Sequence, residues 1–148
     1  MGTGIIRRGI ALLLIALPLA PSATAAEAAR VDVVVTNVQN TLGHVRVGLC
    51  PRETFLETDC PYEANGPATK GETIVTVTSV PPGTYAVQVF HDENDNHKVD
   101  RSLVGIPTEG VGFSKDPSLT FGPPSFEDVA IKLGPEGGKV TVRLRHFP

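Results

Sequence analysis

The chain has 148 residues and carries 13 Lys and Arg against 16 Asp and Glu, a formal net charge of −3 at pH 7. This balance argues against nucleic acid and anionic membrane surfaces as partners, since both need basic patches. The length suits one domain with one core.

Residues 1–25 read as a secretory signal peptide. Arg7 and Arg8 form a basic start, residues 9–20 are apolar, and Ala23-Thr24-Ala25 fits the small-x-small cleavage rule, with the cut after Ala25 or Ala26. The apolar run is too short for a bilayer span, which needs about 20 residues; a retained anchor is the alternative. The sequence around the arginine pair is a poor match to a twin-arginine signal, so Sec-type export to the periplasm or the medium is expected. With no Cys near the cut, a lipid anchor there is excluded. Losing Arg7 and Arg8 leaves 11 basic residues against 16 acidic ones, a net charge of −5. No later apolar run is long enough to cross a membrane.

The remainder, 29–148, is expected to be a single domain. Residues 31–38 are largely β-branched, and 43–49 alternate with Val45, Val47 and Leu49 on one face. Cys50 and Cys60 follow. In an exported chain this pair reads as a disulfide around a loop of about ten residues, contributing on the order of 2–3 kcal/mol; the separation is wrong for a Cys-x-x-Cys redox or metal motif. Residues 72–78 put Ile74 and Thr76 opposite Val75 and Val77, and 84–90 put Tyr85, Val87 and Val89 on one face. A further strand is expected at 129–133 and another at 139–145, with Val140, Val142 and Leu144 inward. Turn residues at 40–43 and 134–138 are expected to join neighbouring strands, the latter as a hairpin. The pattern predicts an all-β fold: an antiparallel β-sandwich of about seven strands, Greek-key and Ig-like or prealbumin-like, with a closed barrel as the alternative.

Between the strands at 84–90 and 129–133 lies an excursion, 91–126, far longer than an ordinary connection. Such segments are functional or disordered, and its Phe, Ile, Gly and Pro content predicts order. It opens with His91-Asp92-Glu93-Asn94-Asp95-Asn96-His97-Lys98-Val99-Asp100. Oxygen side chains at Asp92, Asn94, Asn96 and Asp100 match positions one, three, five and nine of a calcium loop. The acidic ligand expected at position twelve is replaced by Leu103, and Glu109 or a carbonyl could close the site. The competing reading is a turn whose Asp and Asn side chains cap their own backbone.

Four motifs in order carry a family resemblance: Val80-Pro81-Pro82-Gly83-Thr84-Tyr85-Ala86-Val87, the acidic segment, Gly105-Ile106-Pro107-Thr108-Glu109-Gly110-Val111-Gly112-Phe113-Ser114, and Pro124-Ser125-Phe126-Glu127-Asp128. Together they resemble a bacterial secreted family, the domain-of-unknown-function family numbered 2141, over nearly all of the exported chain. The resemblance implies an exported β-sandwich and no established activity. The family has Gly at the positions held here by Asp95 and His97. The first motif is also similar to the last strand of transthyretin-like, carboxypeptidase-regulatory-like and collagen-adhesin-B-like modules.

His91, Asp92 and Glu109 form the candidate set for an acid–base or metal-dependent enzyme. No nucleophile elbow, zinc-protease or phosphate-loop motif accompanies them. His44 and His146 read as surface residues. Phe113, Phe121 and Phe126 are expected to pack the excursion onto the sandwich, the alternative being to line a ligand groove. Gly105, Gly110 and Gly112 are expected to serve positive φ or close backbone approach. The favoured reading is a non-catalytic binding or accessory module of the cell envelope, with an envelope or extracellular ligand and with Ca²⁺ as its possible cofactor. The enzyme is the rival reading.

Overall fold

Alternation of apolar and polar residues places one side of each strand in the core, and the computed structural model follows it closely. It describes residues 29–148 together with Met1, Gly2 and Gly4; the apolar run and cut site of the expected signal peptide lie outside the described residues. In chain order the elements are β1 (Ala29–Val38), β2 (His44–Cys50), β3 (Tyr62–Pro67), β4 (Gly71–Val80), β5 (Gly83–Asp92), β6 (Val111–Phe113), the one-turn helix α1 (Phe126–Val129), β7 (Ala130–Leu133) and β8 (Gly138–Arg143), with a 3₁₀ turn at Arg52–Thr54. The fold is an all-β sandwich.

One sheet has the order β4-β1-β8, and the other β3-β2-β5-β6, with β7 pairing the first half of β5. Val31, Val33 and Val35 face Val45, Val47 and Leu49 and Tyr85, Val87 and Val89 across a core in which each is at most 6% exposed. Each such side chain contributes roughly 1.5–3 kcal/mol by leaving water. Val142 and Leu144 close the same core.

Three details differ from the sequence expectation. The turn at 134–138 is not a hairpin: β7 pairs antiparallel with β5, whereas β8 pairs parallel with β1 in the other sheet. Gly137, at φ 73°, allows this crossing, because a Cβ there would lie 2.0 Å from the Arg30 carbonyl oxygen. The turn after β1 likewise carries the chain to the opposite sheet. Finally, β3, which is not among the expected strands, pairs with β2 along its whole length. Its Gly and Pro are tolerated because β3 lies at a sheet edge.

The excursion covers the outer face of β5. Ala86, Phe126 and Val129 form a second apolar cluster there, with Phe55 and Phe113 packed against it. Phe55 meets Phe113 and Phe126 edge-on, at centroid distances of 5.9 and 5.8 Å, the geometry that the ring quadrupoles favour. Phe121 does neither expected job: it is fully exposed. Ser125 and Asp128 form a capping box that starts α1. The fully buried Ser114 accepts from the Val87 N–H at 3.0 Å and donates to the Val129 carbonyl, joining excursion, β5 and α1. The Cys50–Cys60 disulfide spans Cα atoms 5.0 Å apart beside Gly48.

Candidate functional site

The acidic loop leaves the end of β5 and closes on itself. The Asp92 carboxylate is fully buried; one oxygen accepts from the Asn96 N–H at 3.0 Å, and the other from the His97 N–H at 3.0 Å and from the Arg46 guanidinium on β2. Burial alone would raise the Asp92 carboxyl. The Arg46 hydrogen bond, with the His97 and Asn96 N–H groups and the Arg46 charge, outweighs it and holds the carboxyl below its ordinary value. Asn94 and Asn96 turn their amides onto the two Asp100 oxygens, at 2.6 and 2.8 Å, so Asn94, Asn96 and Asp100 do converge. Asn94 Oδ1 also accepts from the Asn96 N–H, and Asn96 Oδ1 from the Lys98 N–H.

Asp95 and His97, which stand where the resembled family has Gly, have φ of 57° and 66°. The loop therefore keeps the left-handed turns that glycine would make without strain. Asp95 is further held by His44, whose Nδ1 lies 2.7 Å from its Oδ1. Glu109, 6% exposed, reaches in from the far side of the excursion. Its two oxygens accept from the Glu93 N–H at 3.0 Å and the Asp100 N–H at 3.1 Å, fastening both ends of the loop.

His91 is fully buried, and its Nε2 lies 2.7 Å from the Leu42 carbonyl oxygen. His91, Asp92 and Glu109 are thus buried in the joints of the fold, and none of the three lines the cleft over the outer face of β5. His146 is not a free surface residue: its Nε2 is buried, and a Cβ on Gly110 would lie 2.5 Å from it. Burial, then the proximity of His91, holds its pKa below the ordinary imidazole value, against the charge of Glu93. Gly110 and Gly112 serve close approach, Gly112 against the Arg143 carbonyl, whereas Gly105 takes φ 84°. Arg46, Glu93 and His146 escaped the sequence reading. The folded register, His44↔Asp92 and Arg46↔Phe90, sets Arg46 diagonally beside Asp92, which the local sequence does not show; nothing local connects His146 to the loop.

Beside the loop, the excursion and the outer face of β5 enclose a cleft of about 560 Å³. Leu56, Ile106, Phe113, Leu119 and Phe147 give it apolar walls, and His97, Lys98 and Arg101 contribute basic groups. Val104, on its rim, is 79% exposed, and the neighbouring Leu103 is fully so.

The family described as "Uncharacterized protein conserved in bacteria (DUF2141)" matches residues 33–142. The chain belongs to this family. The matched span runs from β1 to β8 and contains the acidic loop, the excursion and the cleft floor, so in this chain the DUF2141 match covers the sandwich together with the excursion pinned on it. No curated protein and no solved structure matches the chain. Among the described residues, no helix is long and apolar enough to cross a membrane.

Proposed function

We propose that this DUF2141 chain is an exported, non-catalytic module of the bacterial cell envelope, periplasmic or secreted, that holds an amphiphile with an apolar body and an anionic group. The observation that carries this reading is the cleft of about 560 Å³ over β5, with apolar walls and His97, Lys98 and Arg101 among its lining. Its size falls in the range of roughly 300–1,000 Å³ usual for small-molecule sites, which pair apolar walls with a few polar anchors. Export is supported by residues 1–25 and by the Cys50–Cys60 disulfide, a bond that persists in oxidising compartments. A binding role is supported over an enzymatic one because the polar atoms of Asp92 and Glu109 and the Nε2 of His91 are committed to Arg46 and to backbone groups.

Titration with 8-anilinonaphthalene-1-sulfonate, an apolar body bearing an anion, tests the reading. Saturable one-to-one fluorescence enhancement is expected, lost in Ile106→Asp and weakened in the double variant Lys98→Glu, Arg101→Glu. No enhancement, or enhancement indifferent to these changes, overturns it.

Calcium is a second part of the proposal, supported by the convergence of Asn94 and Asn96 on Asp100. Rotation of the two amides would turn their carbonyl oxygens toward the Asp100 carboxylate, giving a hard cation an all-oxygen site. Arg46 already neutralises Asp92, so the ion has to bind without that carboxylate's full charge. A rise in unfolding midpoint with millimolar Ca²⁺, absent in Asp100→Asn, is the expected result; an unmoved midpoint ends the calcium part and leaves the cleft untouched.

A further inference from the structure

Two buried imidazole nitrogens, His91 Nδ1 and His146 Nε2, have no hydrogen-bond partner. A buried polar atom left without a partner costs about 1–3 kcal/mol and calls for an explanation. The strand register brings the two rings to one place. Phe90 pairs with Val111 and Val111 with Arg145, so the next residues out are His91, Gly110 and His146. The His91 backbone N–H donates to the Gly110 carbonyl at 2.9 Å, and a Cβ on Gly110 would lie 2.5 Å from His146 Nε2. Gly110 is the gap over which the rings lean.

The tautomer of His91 follows from its partner. The Leu42 carbonyl can only accept, so His91 Nε2 carries the proton and, in the neutral ring, Nδ1 presents a lone pair. An imidazole whose far nitrogen donates to a backbone carbonyl while the near one is bare is the arrangement that orients histidine toward a metal. The Glu93 carboxylate lies 3.8 Å from His91 Nδ1, and its side chain is 30% exposed. Among the described residues no three such side chains already stand gathered as a metal centre, so the ion has to draw these three together.

We infer that His91 Nδ1, His146 Nε2 and the Glu93 carboxylate bind a borderline divalent cation of the zinc and copper class. Two imidazoles and one carboxylate suit that class and are poor ligands for calcium, which takes six to eight oxygens. The inference does not depend on the cleft or on the calcium loop.

The test is calorimetric titration of the chelator-treated, full exported chain with Zn²⁺, repeated with Co²⁺ followed by visible absorption. Expected is one equivalent per chain, a Co²⁺ spectrum of low coordination number, and affinity reduced about tenfold or more in both His146→Gln and Glu93→Gln, in line with the usual effect of disturbing a metal site. His44→Gln is expected to leave binding unchanged. His146 and Glu93 are partly exposed, so their variants fold even where His91→Gln does not; circular dichroism checks this. Absence of Zn²⁺ binding, or binding that survives His146→Gln, overturns the inference and assigns the two nitrogens to a bridging water or a shared proton.

Discussion

Arg46 and Asp92 form an ion pair across β2 and β5 in which the carboxylate is fully buried and the guanidinium side chain is 18% exposed. The pair fixes the point where the sandwich ends and the excursion begins. Removing one partner of such a pair leaves a buried charge alone, at a cost of roughly 3–5 kcal/mol. Arg46→Leu and Asp92→Leu are each expected to lose stability on this scale in urea unfolding. The double variant should lose much less than their sum, since no charge is then stranded. Additive losses would show that the two side chains act independently.

Acid should attack the same joint. The fold keeps the Asp92 carboxyl below its ordinary value of 3.8, so it contributes stability that is present in full above that value and lost as pH falls through the folded value. The unfolding midpoint is expected to fall as the pH drops below about 4. Asp92→Asn should lower the midpoint at pH 7 and flatten its slope in this acid window. An equal acid slope in the variant would place the effect in other carboxylates.

Glu109 ties Glu93 to Asp100, and the tie can be cut on one side only. Glu109→Gln keeps one acceptor and turns an NH₂ group toward the other backbone N–H, a loss of about 1–3 kcal/mol. Hydrogen exchange is expected to speed up in residues 93–108 and to stay unchanged in β1 and β2, because the clamp lies outside the core. Faster exchange throughout would mean that the loop and the sandwich open together.

Ser114 is the corresponding fastener at the other end of the excursion. Ser114→Ala strands the Val87 N–H and the Val129 carbonyl in a fully buried place, and should cost about 1–3 kcal/mol. Ser114→Thr keeps the hydroxyl but adds a methyl where nothing is exposed, so it should not restore stability. Equal stability of Ser114→Ala and the unaltered chain would remove this role.

The strands were legible wherever one face is buried and the other wet. Val31, Val33 and Val35, or Val45, Val47 and Leu49, declare themselves by a period of two. What alternation does not encode is which strand lies beside which. Gly134 to Gly138 has the composition of a hairpin turn, yet it carries the chain from one sheet to the other, since the choice is made by Val142 and Leu144 finding the core beside β1. In the acidic segment, the residues that converge were visible from their spacing. Arg46 was not legible as a partner, because its pairing arises from strand register, which is not written locally; Glu109 was visible as a residue that could close the loop, but not as the acceptor of the Glu93 and Asp100 N–H groups. His146 is the extreme case: its environment is made by Gly110 and His91, remote in sequence.

The parallel pairing of Val31 with Gly138 has a consequence for how the domain comes into being. β1 is the middle strand of its sheet, and one of its two neighbours is the last strand of the fold. A polypeptide threaded amino end first therefore presents Val31, Val33 and Val35 long before the neighbour that covers their flank has arrived. Its most distant contacts are among its central ones, which makes for slow, late closure. Such a chain stays pliable until nearly all of it is available to fold, and then locks.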